Sequence, residues 1–97
     1  MVMSIVTAIR NRNLLTFRYA GRTRLVEPHV YGVNTKGHPA LSAYQRRGGS
    51  ASGERHGWKM FLVQDIEDLQ LLPDRIFTPR LDYNPDDNSF SAIFARV

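Results

Sequence analysis

The sequence of 97 residues contains no cysteine. Disulfide staples, thiolate metal sites and cysteine nucleophiles are therefore excluded. Long hydrophobic runs are missing too: no unbroken apolar stretch exceeds four residues, as at Met60-Phe61-Leu62-Val63. A transmembrane helix needs about 20 apolar residues, so none is expected. The first 25 residues also lack the apolar segment of a signal peptide, and the expected location is the cytoplasm. Acidic residues are scarce in the first two thirds of the chain. Residues 1–64 hold ten basic side chains against only Glu27 and Glu54, a net +8, whereas residues 65–97 carry a net −4. Of the 13 basic residues, eleven are arginine. A basic body with an acidic tail points to an anionic partner, or else to a body neutralised by its own tail.

What is present reads as one small domain spanning 1–97, with a core over about 14–72 and a C-terminal extension over 73–97. Met3 to Asn13 is expected to be a short helix, with Ser4 as cap and Ile5, Val6 and Ile9 as its apolar stripe. Leu15, Phe17 and Tyr19 alternate with polar residues, the period of a strand, and Ala20-Gly21 turns the chain into a second strand, Arg22 to Tyr31, bent near Pro28. Ala40 to Arg46, Trp58 to Gln64 and a stretch around Leu69 to Leu72 supply three more strands, with Pro73 expected to stop the last. Gly48 to Gly53 is a surface loop rich in glycine and serine. In the tail, Asn84-Pro85-Asp86-Asp87 reads as a helix start, and Phe90, Ile93, Phe94 and Val97 fall on one helical face. That helix is expected to bury Phe90, Ile93 and Phe94 against the body or a second copy. The expected core is Leu15, Phe17, Leu41, Phe61, Val63, Ile66, Leu69 and Leu71, with Ile5 and Ile9 packed on it. The fold class is mainly β: a small, five-stranded, partly open SH3/Sm-like barrel with a short helix at each end.

The order of motifs resembles the WYL domain of bacterial regulators and defence-associated proteins. The residues that carry the likeness are Arg24-Leu25-Val26-Glu27-Pro28, the Lys36-Gly37 turn, Leu41-Ser42-Ala43-Tyr44-Gln45 and the strand from Trp58 to Ile66. The likeness covers about Ile5 to Leu72. At the position of the name-giving Trp-Tyr-Leu this chain has Pro39-Ala40-Leu41, so only the leucine is kept, and Leu62 stands where the family has an arginine. The resemblance implies an Sm-like barrel that senses a ligand or binds nucleic acid on a basic face.

The candidate binding residues are Arg22, Arg24, Arg46, Arg47, Arg55 and Lys59, with Tyr44 beside them. Guanidinium forks match phosphate oxygens and stack on bases, and an exposed ring adds a stacking platform. Arg24 has a structural alternative, pairing with Glu27 or the acidic tail, and Phe17, Phe61 and Trp58 are expected in the core. Catalysis is not expected. Gly49-Ser50-Ala51-Ser52-Gly53 has alanine where a nucleophile elbow needs serine, no Gly-Lys-Ser/Thr makes a Walker loop, and His29, His38 and His56 lack metal-ligand spacing. No metal or cofactor is expected. The expected function is a regulatory module that binds single-stranded nucleic acid or a nucleotide. The competing expectation is a protein-interaction or oligomerisation module, pairing with a partner protein or itself as a homodimer through the barrel edge and C-terminal helix.

Overall fold

The computed structural model describes residues 1–50, 53 and 55–97. Ala51 and Ser52 of the glycine- and serine-rich loop, and Glu54, lie outside the described residues. Helix α1 (Val2–Asn11) is followed by strands β1 (Asn13–Tyr19), β2 (Arg22–Asn34), β3 (Pro39–Gly48) and β4 (Gly57–Leu62). A 3-10 turn over Val63–Asp65 leads into β5 (Glu67–Ile76), and β6 (Phe90–Arg96) closes the order. All pairings are antiparallel, in the order β4-β3-β2-β1-β5, with β6 also on β2. No helix among the described residues is long and apolar enough to cross a membrane.

Strand β2 organises the sheet because it is long enough to serve three partners. β3 runs along one side, pairing Arg24 through Val33. The other side is shared, with β1 on the stretch nearer Arg22 and β6 on Val30 to Asn34. Pro28, which has no N–H to give, sits between the two sharers, at a register shift in the β2–β3 pairing. β6 approaches so closely that a Cβ on Gly32 would stand 2.0 Å from the Ala92 carbonyl oxygen. Only glycine lets β6 dock there.

The core follows the expected alternation. Ile5, Ile9, Leu15, Phe17, Leu41, Phe61 and Ile66 form one buried cluster, with Val63, Leu69 and Leu71 half-buried against it. Phe17 and Tyr19 each meet the Phe61 ring edge-on, with centroids 5.0 Å apart. A second cluster of Val30, Ala40 and Phe90 lies where β6 covers β2.

Several expectations are corrected. The sheet has six strands rather than five, and the C-terminal helix does not form: Phe90–Arg96 is β6. Register shifts at Tyr31/Gly32 and Val33/Asn34 put irregular steps into that pairing. Such steps break strict alternation and leave a spacing that imitates a helical face. The helix-like start is a pair of side-chain-closed turns, Asn84 Oδ1 accepting from the Asp86 N–H and Asp87 Oδ1 from that of Ser89. Phe94, expected to be buried, is exposed. Ser4 lies within α1, whose N-cap is Met1. β5 runs through Pro73 to Ile76 because it is the last strand on the sheet path. Its register shifts between Asn13 and Leu14, and the Asn13 amide bonds the Pro73 and Arg75 carbonyls at 3.3 and 3.2 Å.

Candidate functional site

The candidate residues divide around the end of β3. On one side is a buried carboxylate. Glu27 faces Tyr44 in register, and its side chain is only 2% exposed because the segment from Phe77 to Tyr83 crosses over it. Its oxygens accept from Arg46 Nε at 2.6 Å and from Arg80 through Nε and a terminal nitrogen, both at 2.9 Å. Burial alone would push the Glu27 carboxyl up; the hydrogen bonds and charges of Arg80 and Arg46 outweigh it and hold the group below the ordinary glutamate value. The Arg80 guanidinium also lies 3.7 Å above the Tyr44 ring centre.

His29, fully buried, ties the crossing segment down. A backbone N–H can only donate, so the Arg80 N–H at 3.2 Å makes His29 Nε2 an acceptor. The ring proton then sits on Nδ1 and is donated to the Glu27 carbonyl oxygen at 2.8 Å. Trp58, Phe77 and Tyr83 surround the ring, with centroids 4.6, 5.1 and 5.1 Å away, and Trp58 Nε1 donates to Asp82 at 3.0 Å. Burial lowers the His29 pKa. Beside this knot lies an open cleft of ≈ 690 Å³, bordered by Tyr44, Arg46, Arg80 and the exposed side chains of Ile76 and Leu81.

On the other side of β3 is a basic surface around Gly48 and Gly49. Arg47, Arg55 and His56 line a hollow of ≈ 380 Å³ with the two glycines. The Arg22 side chain lies against Gly49, and Lys59 Nζ donates to Ser50 Oγ at 3.4 Å. Gly48 has φ +121, and a Cβ there would come within 2.2 Å of the Thr23 carbonyl oxygen, so the chain leaves β3 on a path open to glycine. Among the described residues, no carboxylate lies within ion-pair distance of Arg22, Arg47, Arg55 or Lys59.

The structure thus gathers Arg22, Arg47, Arg55 and Lys59 in one place and Tyr44 with Arg46 in another. Arg46 is engaged with Glu27, so it does not share one solvent-facing group with Arg47 and Arg55 beside Tyr44, as the sequence led one to expect. Arg24 is a second correction, because only 3% of it is exposed. The β1–β2 register sets it opposite Phe17 on the inward face. There it donates to the Gln45 side-chain oxygen at 3.1 Å and the Tyr19 carbonyl at 2.9 Å, between the rings of Tyr19 and Phe61. Its internal partner is Gln45 rather than Glu27 or the tail. Trp58, expected in the core, is half-buried beside His29. Sequence reasoning missed Arg80 and His29. The available signal was Glu27 itself, a carboxylate flanked by apolar strand residues, which needs a cation wherever it is buried.

No family model matches the sequence, and no curated protein matches it. Among solved structures, proteasome accessory factor B/C (PafBC) of Arthrobacter aurescens is similar, with a TM-score of 0.68 and 21% identity over 87% of this chain. The chain spans 13% of the length of PafBC. The shared part is a matter of fold, and it supports a WYL-related fold for this chain.

Proposed function

We propose that this chain is a non-catalytic regulatory module, an SH3/Sm-like partly open barrel acting in the cytoplasm. Its ligand is anionic and phosphate-bearing, a single-stranded nucleic acid or a nucleotide. The observation that carries the reading is the set of Arg22, Arg47, Arg55 and Lys59 around Gly48 and Gly49 with no carboxylate to neutralise it among the described residues. Guanidinium forks pair with phosphate oxygens in two-point contacts, and a glycine backbone lets a phosphate approach closely. The WYL-like motifs and the fold shared with an accessory factor support regulation rather than chemistry.

The test is binding of single-stranded oligonucleotides and free nucleotides at two salt concentrations, comparing wild type with the double variant Arg47→Glu, Arg55→Glu. For every phosphate that the variant no longer neutralises, the log–log salt dependence on a single strand should flatten by about 0.7. Wild-type protein without affinity at low salt, or a variant that binds as tightly, would overturn the reading. A second reading, docking of a protein on the cleft rim, is favoured by Ile76 and Leu81, whose exposures are 71% and 105%. Binding of that kind would be nearly insensitive to salt.

A further inference from the structure

The connection between β3 and β4 borders the basic surface and contributes Arg55 to it, and one buried side chain holds both of its ends. Gln45 is 0% exposed. Its Nε2 donates to the Gly49 carbonyl at 3.3 Å, where the chain leaves the sheet, and to the Arg55 carbonyl at 2.9 Å, where it returns. Its Oε1 accepts from Arg24 at 3.1 Å. This orientation is dictated chemically. A guanidinium only donates and backbone carbonyls only accept, so the amide oxygen must face Arg24 and both amide hydrogens must face the connection.

Arg24 matters for the same reason. It faces no carboxylate among the described residues, and its Nε has no partner. A buried cation without a counter-charge carries a desolvation cost that hydrogen bonds offset only in part. Here it fixes which end of the Gln45 amide points outward. The same connection is braced from outside by the Arg22 side chain on Gly49.

We propose that Gln45, oriented by Arg24, is the positioning residue that sets the spacing of Arg47 and Arg55 for a phosphate-bearing ligand. The ligand part rests on the function proposed above; the tie across the connection does not. Gln45→Glu separates the two roles. A carboxylate gives Arg24 a counter-charge and keeps its acceptor, but it has no hydrogen to offer Gly49 or Arg55 and turns lone pairs toward their carbonyls. Gln45→Met removes the tie as well, and also strips Arg24 of one of its two acceptors, leaving the Tyr19 carbonyl.

The experiment is amide hydrogen exchange over residues 48–57 and over β1, together with oligonucleotide binding. In Gln45→Glu, exchange over 48–57 should quicken on the order of tenfold, the effect of removing two hydrogen bonds, with β1 unchanged. In Gln45→Met both regions should quicken. Oligonucleotide affinity should fall on the order of tenfold in Gln45→Glu, with a flatter salt dependence. Exchange over 48–57 that matches wild type, or a rise of equal size in β1, or a Gln45→Glu protein that does not fold, would overturn the proposal. If wild type binds neither oligonucleotide nor free nucleotide, the proposed function and the ligand part of this proposal both fall, and exchange still decides whether the tie exists.

Discussion

Arg46 and Arg47 are neighbours in sequence with opposite fates. Arg46, with Arg80, reaches a carboxylate that is 2% exposed; Arg47, with Arg55, reaches none among the described residues. The β2–β3 register shifts between Leu25 and Val26, where Arg47 pairs with Leu25 and Gln45 with Val26, so Arg46 is the extra residue of the step. Such a step re-aims a side chain. One group of arginines is therefore committed to holding the chain across the sheet, while the other makes no ion pair among the described residues. Residue type and net charge do not separate these two roles. The presence or absence of a buried acid does.

The largest effect should come from breaking the committed group. Glu27→Ala removes the acceptor of three hydrogen bonds and leaves two guanidiniums facing a vacated site. Breaking a buried ion pair costs about 3–5 kcal/mol; with both arginines about a third exposed, the lower end applies, about 3 kcal/mol. For a domain of this size that is roughly 15 °C of Tm, measurable by thermal and urea unfolding. A loss below about 1 kcal/mol would mean that Arg46 and Arg80 are as uncommitted as Arg47. The sign of the pH dependence follows from the depressed Glu27 pKa. Its contribution is complete above the ordinary value of 4.5 and is lost as pH falls through the lower folded value. The acid limb of wild-type stability should therefore be weaker in Glu27→Ala.

What could be read in advance tracks how regular the local geometry is. The inward residues of β1 and β3, the stripe on α1 and the Ala20-Gly21 turn all follow simple periods, and these elements were legible. The knot around Glu27 was not. Val26 through Gly32 are buried without interruption, because one face of β2 meets the core and the other lies under the chain from Phe77 to Tyr83. His29 is the extra residue of another register shift, between Pro28 and Val30. Alternation cannot forecast a side chain placed by a register shift. Arg80 was hidden in a segment whose composition reads as an acidic tail, and its role depends on a partner 53 residues away in sequence. The Arg47–Arg55 group was legible as composition, but only the register shift shows that Arg46 does not belong to it.

A smaller effect sharpens the same comparison without changing any charge. Arg80→Lys keeps the cation but gives up the two-point grip on Glu27 and the flat stacking over Tyr44. A cost of about 1–2 kcal/mol is expected, in line with the removal of charge-assisted hydrogen bonds. Arg47→Lys and Arg55→Lys should stay within about 0.5 kcal/mol of wild type, as exposed substitutions usually do. Urea midpoints of the three variants measured together decide the matter. Equal midpoints would show that the Arg80 fork geometry contributes no more than a point charge.

The smallest effect concerns how His29 fastens the committed side. In the structure His29 is neutral, its proton on Nδ1 and its Nε2 accepting from the Arg80 N–H. A second proton would set an N–H of the ring against the N–H of Arg80. Burial is the main reason that its pKa lies below the ordinary 6.5, and the charge of Arg80 adds to it; the Glu27 carbonyl and the charges of Glu27 and Asp82 act in the opposite direction. Trp58, Phe77 and Tyr83, the other groups around the ring, bring no charge at neutral pH. Because the folded state prefers the neutral ring, this contribution is complete above the unfolded value of 6.5 and is lost as pH falls through the folded one. Wild-type stability should therefore decline between neutrality and pH 5, above the window in which Glu27 titrates. His29→Gln, less stable overall for want of ring packing, should show a flatter profile over that interval. The crossing segment should loosen together with this decline, seen as faster amide exchange at Arg80 in wild type at pH 5.5 than at pH 7 after correction for intrinsic rates. The surface around Arg47 should show no such change. Equal loosening on both sides would mean that His29 acts on the whole fold rather than on the fastening of Arg80.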